Sequence, residues 1–64
     1  MRLTVFWDRM NQQFGENYAG SVAKDHVLAE LDGRTIEQAF ADGEPAKRVW
    51  QAVVATFDVP SRLR

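Results

Sequence analysis

The chain has 64 residues, which is enough for one small domain, and its formal net charge is −1 with 45% hydrophobic residues. This balance is typical of a globular protein and argues against a general polyanion binder, which is normally strongly basic. Cysteine is absent, and the single histidine, His26, would need carboxylates to complete a zinc site, which is unusual. We therefore expect neither a metal nor a cofactor.

The apolar run in the first ten residues is too short and too interrupted for a signal peptide or a membrane span. We therefore expect a soluble, cytoplasmic protein without a membrane partner. A first helix is predicted from a cap at Thr4 to about Phe14, with Gly15 as its stop. One buried stripe of this helix is formed by Leu3, Phe6, Met10 and Phe14, widened by Trp7.

A second helix is predicted from about Tyr18 to Leu31, capped by Asn17 and ended by Asp32-Gly33. Gly20 lies inside it and indicates either a break, with Ser21 as the true cap, or a close helix crossing. Its apolar residues fall on two sides, which predicts a central position in the bundle. One side holds Tyr18, Val22, His26 and Ala29, and the other holds Ala23, Val27, Leu28 and Leu31.

Two further helices follow, at about 35–42 and 45–57. Thr35 caps the first, Gln38 completes a capping box, and Gly43 closes it. Pro45 suits the first position of the second helix. Its stripe is formed by Ala46, Val49, Trp50, Val53 and Phe57. The sequence thus predicts an all-α fold, a compact bundle of four short helices, with a single domain at 1–60 and a frayed tail at 61–64.

The layout of the last two helices resembles a helix-turn-helix. Ala39, Gly43 and Val49 match the usual register, but the motif also wants apolar residues beside the turn glycine. Asp42 and Glu44 stand there instead, so an ordinary αα-hairpin is the favoured interpretation.

Candidate contact residues for a partner or nucleic acid are Lys47, Arg48 and Gln51. The two cations lie in the first turn of the fourth helix, where they oppose the helix dipole by a few tenths of a kcal/mol. Glu44 can pair with Arg48 or Lys47, which favours a solvated, self-paired face.

Catalysis is disfavoured. Asp25-His26 could suggest a general base with an orienting carboxylate, but adjacent residues on a helix diverge by about 100°. No serine or cysteine lies in a nucleophile motif, so we expect no enzyme, and a buried or half-buried His26 that satisfies a backbone carbonyl. Trp7 and Trp50 are expected in the core, meeting across the first and last helices, since an exposed tryptophan would mark a partner site.

Three segments together, MRLTVFWDRM, SVAKDHVLAELDGRTIEQAF and RVWQAVVATFDVP, are similar to the domain-of-unknown-function 3046 family of short actinobacterial proteins. The resemblance runs from Met1 to about Pro60, and Glu44 departs from the apolar residue expected in relatives. It implies a small, cytoplasmic, helical bacterial protein and no assigned activity or functional residues. Members tend to be encoded near the bacterial recombinase and its regulator, which hints at DNA repair.

We therefore expect a small non-catalytic protein-interaction or regulatory module whose partner and oligomeric state the sequence leaves open. The alternative is a DNA-binding, helix-turn-helix-like protein that uses the last two helices, linked to recombination or repair. Acidic residues near the candidate surface favour the first expectation, namely Glu37, Asp42, Glu44 and Asp58.

Overall fold

Four α-helices, two short strands and two 3-10 turns make up the computed structural model, which describes residues 1–64. The helices are α1 (Leu3–Phe14), α2 (Glu16–Asp25), α3 (Ile36–Ala41) and α4 (Ala46–Thr56). The strands are β1 (Val27–Leu28) and β2 (Arg34–Thr35), and the 3-10 turns are Ala29–Leu31 and Ser61–Leu63. The predicted class, a helical bundle of four short helices, is confirmed, and the small sheet is a minor addition to it.

A single residue joins α1 to α2. Gly15 has φ 88°, a conformation that strains residues with a Cβ, and it serves both as the C-cap of α1 and as the N-cap of α2. The predicted stop at Gly15 is confirmed, whereas α1 begins at Leu3, which places the expected cap, Thr4, inside the helix. The turn folds α2 back, and α1 packs more extensively on α2 than on any other element.

The predicted second helix is wrong in its extent. It starts at Glu16, runs without a break through Gly20 and ends at Asp25, six residues short of Leu31. A Cβ added at Gly20 would meet no atom within 4 Å, so this glycine marks neither a break nor a close crossing.

The early end of α2 has a packing reason. Its buried stripe is formed by Ala19, Val22 and Ala23, and a longer helix would continue that stripe onto His26 and then Glu30. Both are polar, and burying them without partners would be costly.

Instead the chain becomes extended at His26, with φ −89° and ψ 118°. The strands β1 and β2 pair antiparallel, with Val27 opposite Thr35, and Leu28 and Leu31 become fully buried.

The start of α3 is confirmed in detail. The Thr35 hydroxyl accepts a hydrogen bond from the Gln38 amide at 3.1 Å, and the Gln38 side-chain oxygen accepts one from the Thr35 amide at 2.9 Å. These reciprocal bonds form a complete capping box. Because Thr35 also belongs to β2, the cap fixes the direction in which α3 leaves the hairpin.

The α4 helix carries the centre of the core. Pro45 is its N-cap rather than its first helical residue, and Val49, Trp50 and Val53 are buried as the stripe predicts. Trp50 is only 2% exposed, which confirms its predicted core position. Trp50 belongs to one continuous cluster of fifteen buried apolar residues, to which every helix and the C-terminal segment contribute.

The last four residues were expected to fray, and the structure contradicts that expectation. Ser61–Leu63 form a 3-10 turn, and Leu63 is 5% exposed. The Trp50 indole N–H donates a hydrogen bond of 3.1 Å to the Leu63 carbonyl. A buried indole N–H needs an acceptor, and the chain end supplies it while closing the core.

Candidate interaction surface

The aromatic side chains divide into two groups. The first, called the inner aromatic group, consists of Phe6, Trp7, Phe40 and Trp50. Phe6 is its centre and meets the other three rings edge-on, with centroid distances of 5.2 Å to Trp7, 5.1 Å to Phe40 and 5.9 Å to Trp50. Phe6 and Trp50 are buried, whereas Trp7 is half-buried and reaches Trp50 only through Phe6.

The second group, called the outer aromatic group, consists of Phe14, Tyr18, His26 and Phe57. Its rings form a chain of contacts, with centroid distances of 6.5 Å from Tyr18 to Phe14, 5.0 Å from Phe14 to Phe57 and 4.9 Å from Phe57 to His26. The two phenylalanines are half-buried, Tyr18 is 60% exposed, and His26 is exposed. The group therefore rests on the core and opens to solvent.

An open cavity of about 180 Å³ lies between the two exposed ends of the outer aromatic group. It is lined by Tyr18, Ser21, Val22, Asp25 and His26. Val22 is buried and forms the apolar part of the lining, and the hydroxyl, carboxylate and imidazole groups supply the polar part. Ligand pockets for drug-sized molecules usually run to ~300–1,000 Å³, so this cavity suits a single side chain better than a cofactor.

The neighbours Asp25 and His26 border the same cavity, although adjacent helical residues were expected to diverge. The helix rule does not apply, because α2 ends at Asp25 and His26 is extended. The expectation of a buried or half-buried His26 is wrong, since the residue is exposed and packs its ring against Phe57. No hydrogen bond joins the side chains of Ser21, Asp25 and His26.

A separate ionic cluster lies at the turn between α3 and α4. The Arg34 guanidinium binds the Glu44 carboxylate and, at 3.0 Å, the Asp42 carboxylate, while its Nε donates to the Leu31 carbonyl at 2.8 Å. The hydrogen bond from Arg34, aided by the charge of Arg48, lowers the pKa of Glu44. The same bond, with a further one to Asp42, raises the pKa of Arg34. The cluster ties the β-hairpin to the helical turn.

The sequence-predicted contact residues lie on the exposed side of α4. Lys47, Arg48 and Gln51 are all exposed, but Arg48 is engaged by Glu44 at 3.2 Å, as the i,i+4 spacing predicted. Lys47 makes no ion pair with Glu44, whose other carboxylate oxygen binds Arg34. The structure therefore leaves Lys47 as the one unpaired cation in the first turn of α4.

Sequence reasoning assigned the members of the outer aromatic group to separate buried stripes. It did place Tyr18, Val22 and His26 on one side of α2, and the structure brings these three together at the cavity. The spacing of four residues was the signal that could have identified the site. Phe57 lies beside these residues because of the way α4 ends. No local pattern in the sequence specifies that end.

The chain can be compared with known protein families, curated proteins and solved structures. The profile of the family described as "Protein of unknown function (DUF3046)" matches residues 1–62, so the chain belongs to this family. No curated protein and no solved structure is significantly similar to the chain. None of its helices combines the length and the apolar character that crossing a membrane requires.

Proposed function

We propose that this protein is a small, non-catalytic interaction or regulatory module that works in the cytoplasm and binds a protein partner through its outer aromatic group. The observation that carries the proposal is the exposure of Tyr18 and His26 on either side of an open cavity, above two half-buried phenylalanines. Single exposed apolar residues are common, whereas connected aromatic rings at the surface are typical of interaction sites.

The chemistry of the outer aromatic group suits protein recognition. Tyrosine offers a large, rigid contact area with a polar end and is enriched among residues that dominate binding energy. Phe14 and Phe57 contact Tyr18 and His26 on one side, which restricts these side chains before binding and reduces the side-chain entropy lost on binding.

The test is affinity capture from native lysate with the wild-type protein, Tyr18→Ala and Glu30→Ala. Glu30 is exposed and lies outside the cavity, so its variant is a matched control. The proposal predicts a captured protein that withstands nuclease treatment, is lost with Tyr18→Ala and is retained with Glu30→Ala. Equal recovery by both variants, or capture that nuclease abolishes, would contradict it.

DNA binding through α3 and α4, in a recombination or repair setting, is the second candidate. The exposed Lys47, Arg48 and Gln51 at the start of α4 favour it. The acidic Glu37 and Asp42 on and beside α3, and the pairing of Arg48 with Glu44, weaken the positive field that DNA binding needs.

A salt titration with random and genomic duplexes, using wild type and Lys47→Ala/Arg48→Ala, distinguishes the two candidates. Removing one cation that binds a phosphate would lower the salt slope of DNA binding by about 0.9. We expect weak binding that is indifferent to sequence. Sub-micromolar, sequence-dependent binding that disappears in the folded double variant would favour the DNA-binding candidate instead.

A further inference from the structure

We infer that the cavity beside Tyr18 receives an arginine side chain of the protein partner. This inference rests on the proposed function and specifies the chemistry of what binds. The occupant must fit a space of about 180 Å³ that is bounded by aromatic rings and a carboxylate. A planar guanidinium fits both features, because it stacks on aromatic faces and binds carboxylates through two parallel N–H groups.

The charge of the site selects a cation. Asp25 lines the cavity, and no side chain of the protein donates a hydrogen bond to it or pairs with it. The cavity also adjoins the C-terminal end of α2, where the helix dipole is negative.

The exposed lysine of the same helix does not fill this role. Lys24 stands in the last turn of α2, but it neither lines the cavity nor forms an ion pair with Asp25. An acidic occupant would be repelled by Asp25. An apolar occupant would remove water from the Asp25 carboxylate and the Ser21 hydroxyl without replacing their hydrogen bonds.

The experiment is a titration of the labelled protein with N-acetyl-arginine amide, followed in amide proton–nitrogen NMR spectra. Parallel titrations use the N-acetyl amides of lysine, glutamine, leucine and glutamate. We expect the arginine probe to shift the signals of Tyr18, Ser21, Asp25 and His26 at millimolar concentration, and to do so at a lower concentration than the lysine probe. The glutamate and leucine probes should leave these signals in place.

Three variants sharpen the result. Asp25→Asn removes the carboxylate charge and should weaken binding of the arginine probe roughly threefold, the range of an exposed ion pair. Tyr18→Leu keeps an apolar side chain but removes the aromatic ring face, and it should weaken binding of the arginine probe by about two- to fivefold. Glu30→Gln makes the same change in net charge outside the cavity and should bind like wild type.

Two outcomes separate this inference from the proposed function. If the leucine probe shifts the cavity signals better than the arginine probe, the occupant is apolar and the inference fails, while the aromatic surface remains a binding site. If the arginine probe shifts signals around Glu37 and Asp42 and not those of the cavity, the inference also fails. Failure of the proposed function is measured independently, by unchanged partner capture with Tyr18→Ala.

Discussion

The inner and outer aromatic groups contain the same number of aromatic side chains, yet they differ in what surrounds them. Phe6 and Trp50 are enclosed by apolar side chains from the helices and by the C-terminal turn. Tyr18 and His26 have apolar support on one side only and water on the other. Burial therefore distinguishes the two groups in this protein.

The difference also follows from the positions of the rings along the chain. The inner aromatic group is centred on the middle of α1 and α4, where neighbouring elements cover both sides. The outer aromatic group lies where elements end, with Phe14 and Phe57 at the C-terminal ends of α1 and α4 and His26 just after α2. Element ends are covered on fewer sides, so the rings placed there are half-buried or exposed.

The largest expected effect lies at the centre of the inner aromatic group. Trp50→Ala should cost about 3–5 kcal/mol of unfolding free energy, because it leaves a large cavity and removes the bond to the Leu63 carbonyl. A chain of this length holds roughly 3–10 kcal/mol in total, so the variant should be close to unfolded. Circular dichroism during urea unfolding measures this. Trp50→Phe should lose much less unfolding free energy than Trp50→Ala. If Trp50→Ala unfolded at the same urea concentration as wild type, the indole would lie outside the core.

The C-terminal turn gives the next effect, because it closes the core over Trp50. Leu63→Ala should cost about 2 kcal/mol, the low end for a buried leucine, since a chain end can adjust to the smaller side chain. The neighbouring exposed residue is the control, and Arg62→Ala should stay within about 0.5 kcal/mol of wild type. Equal midpoints for Leu63→Ala and Arg62→Ala would mean that the segment is frayed after all.

The ionic cluster at Arg34 predicts a smaller effect that depends on pH. The pKa of Glu44 is lowered in the folded protein, so its contribution to stability is present above the ordinary value of 4.5 and is lost as pH falls through the lower, folded value. Glu44→Gln should thus be less stable than wild type at neutral pH. This gap in unfolding free energy between the two proteins should close in acid. The pKa of Arg34 is raised, so its own contribution is lost only in strong base.

Urea unfolding at several pH values below neutrality measures the gap between wild type and Glu44→Gln. Glu37→Gln is the control, because Glu37 is exposed and forms no ion pair. A gap that stays constant from neutral pH into acid would show that Glu44 contributes by packing and not by its charge.

Local rules predicted the parts of the fold that depend on neighbours in sequence. The capping box at Thr35 and Gln38 and the buried face of α4 needed only short spacings, and both are present in the structure. The pair of Glu44 and Arg48 belongs to the same class, since the two residues are only four apart in sequence, with Glu44 just before α4.

The errors arise where distant elements decide the outcome. A longer α2 that continued past Asp25 would satisfy the local periodicity of apolar residues. Only the assembled core shows that such a helix would bury His26 and Glu30. The burial of Leu63 depends on Trp50, thirteen residues earlier, whose N–H needs its carbonyl. The packing of Phe14 and Phe57 against Tyr18 and His26 required the ends of α1 and α4 to meet α2, and no spacing within one helix encodes that meeting.

The smallest expected effect tests the central claim, that the inner aromatic group maintains the fold and the outer one is left for a partner. The measurement is the unfolding free energy of Tyr18→Ala beside that of Phe6→Ala. We predict that Tyr18→Ala stays within about 0.5 kcal/mol of wild type, as exposed positions do, while Phe6→Ala loses about 3–5 kcal/mol. A loss for Tyr18→Ala comparable to that for Phe6→Ala would make the outer aromatic group part of the core and contradict the account.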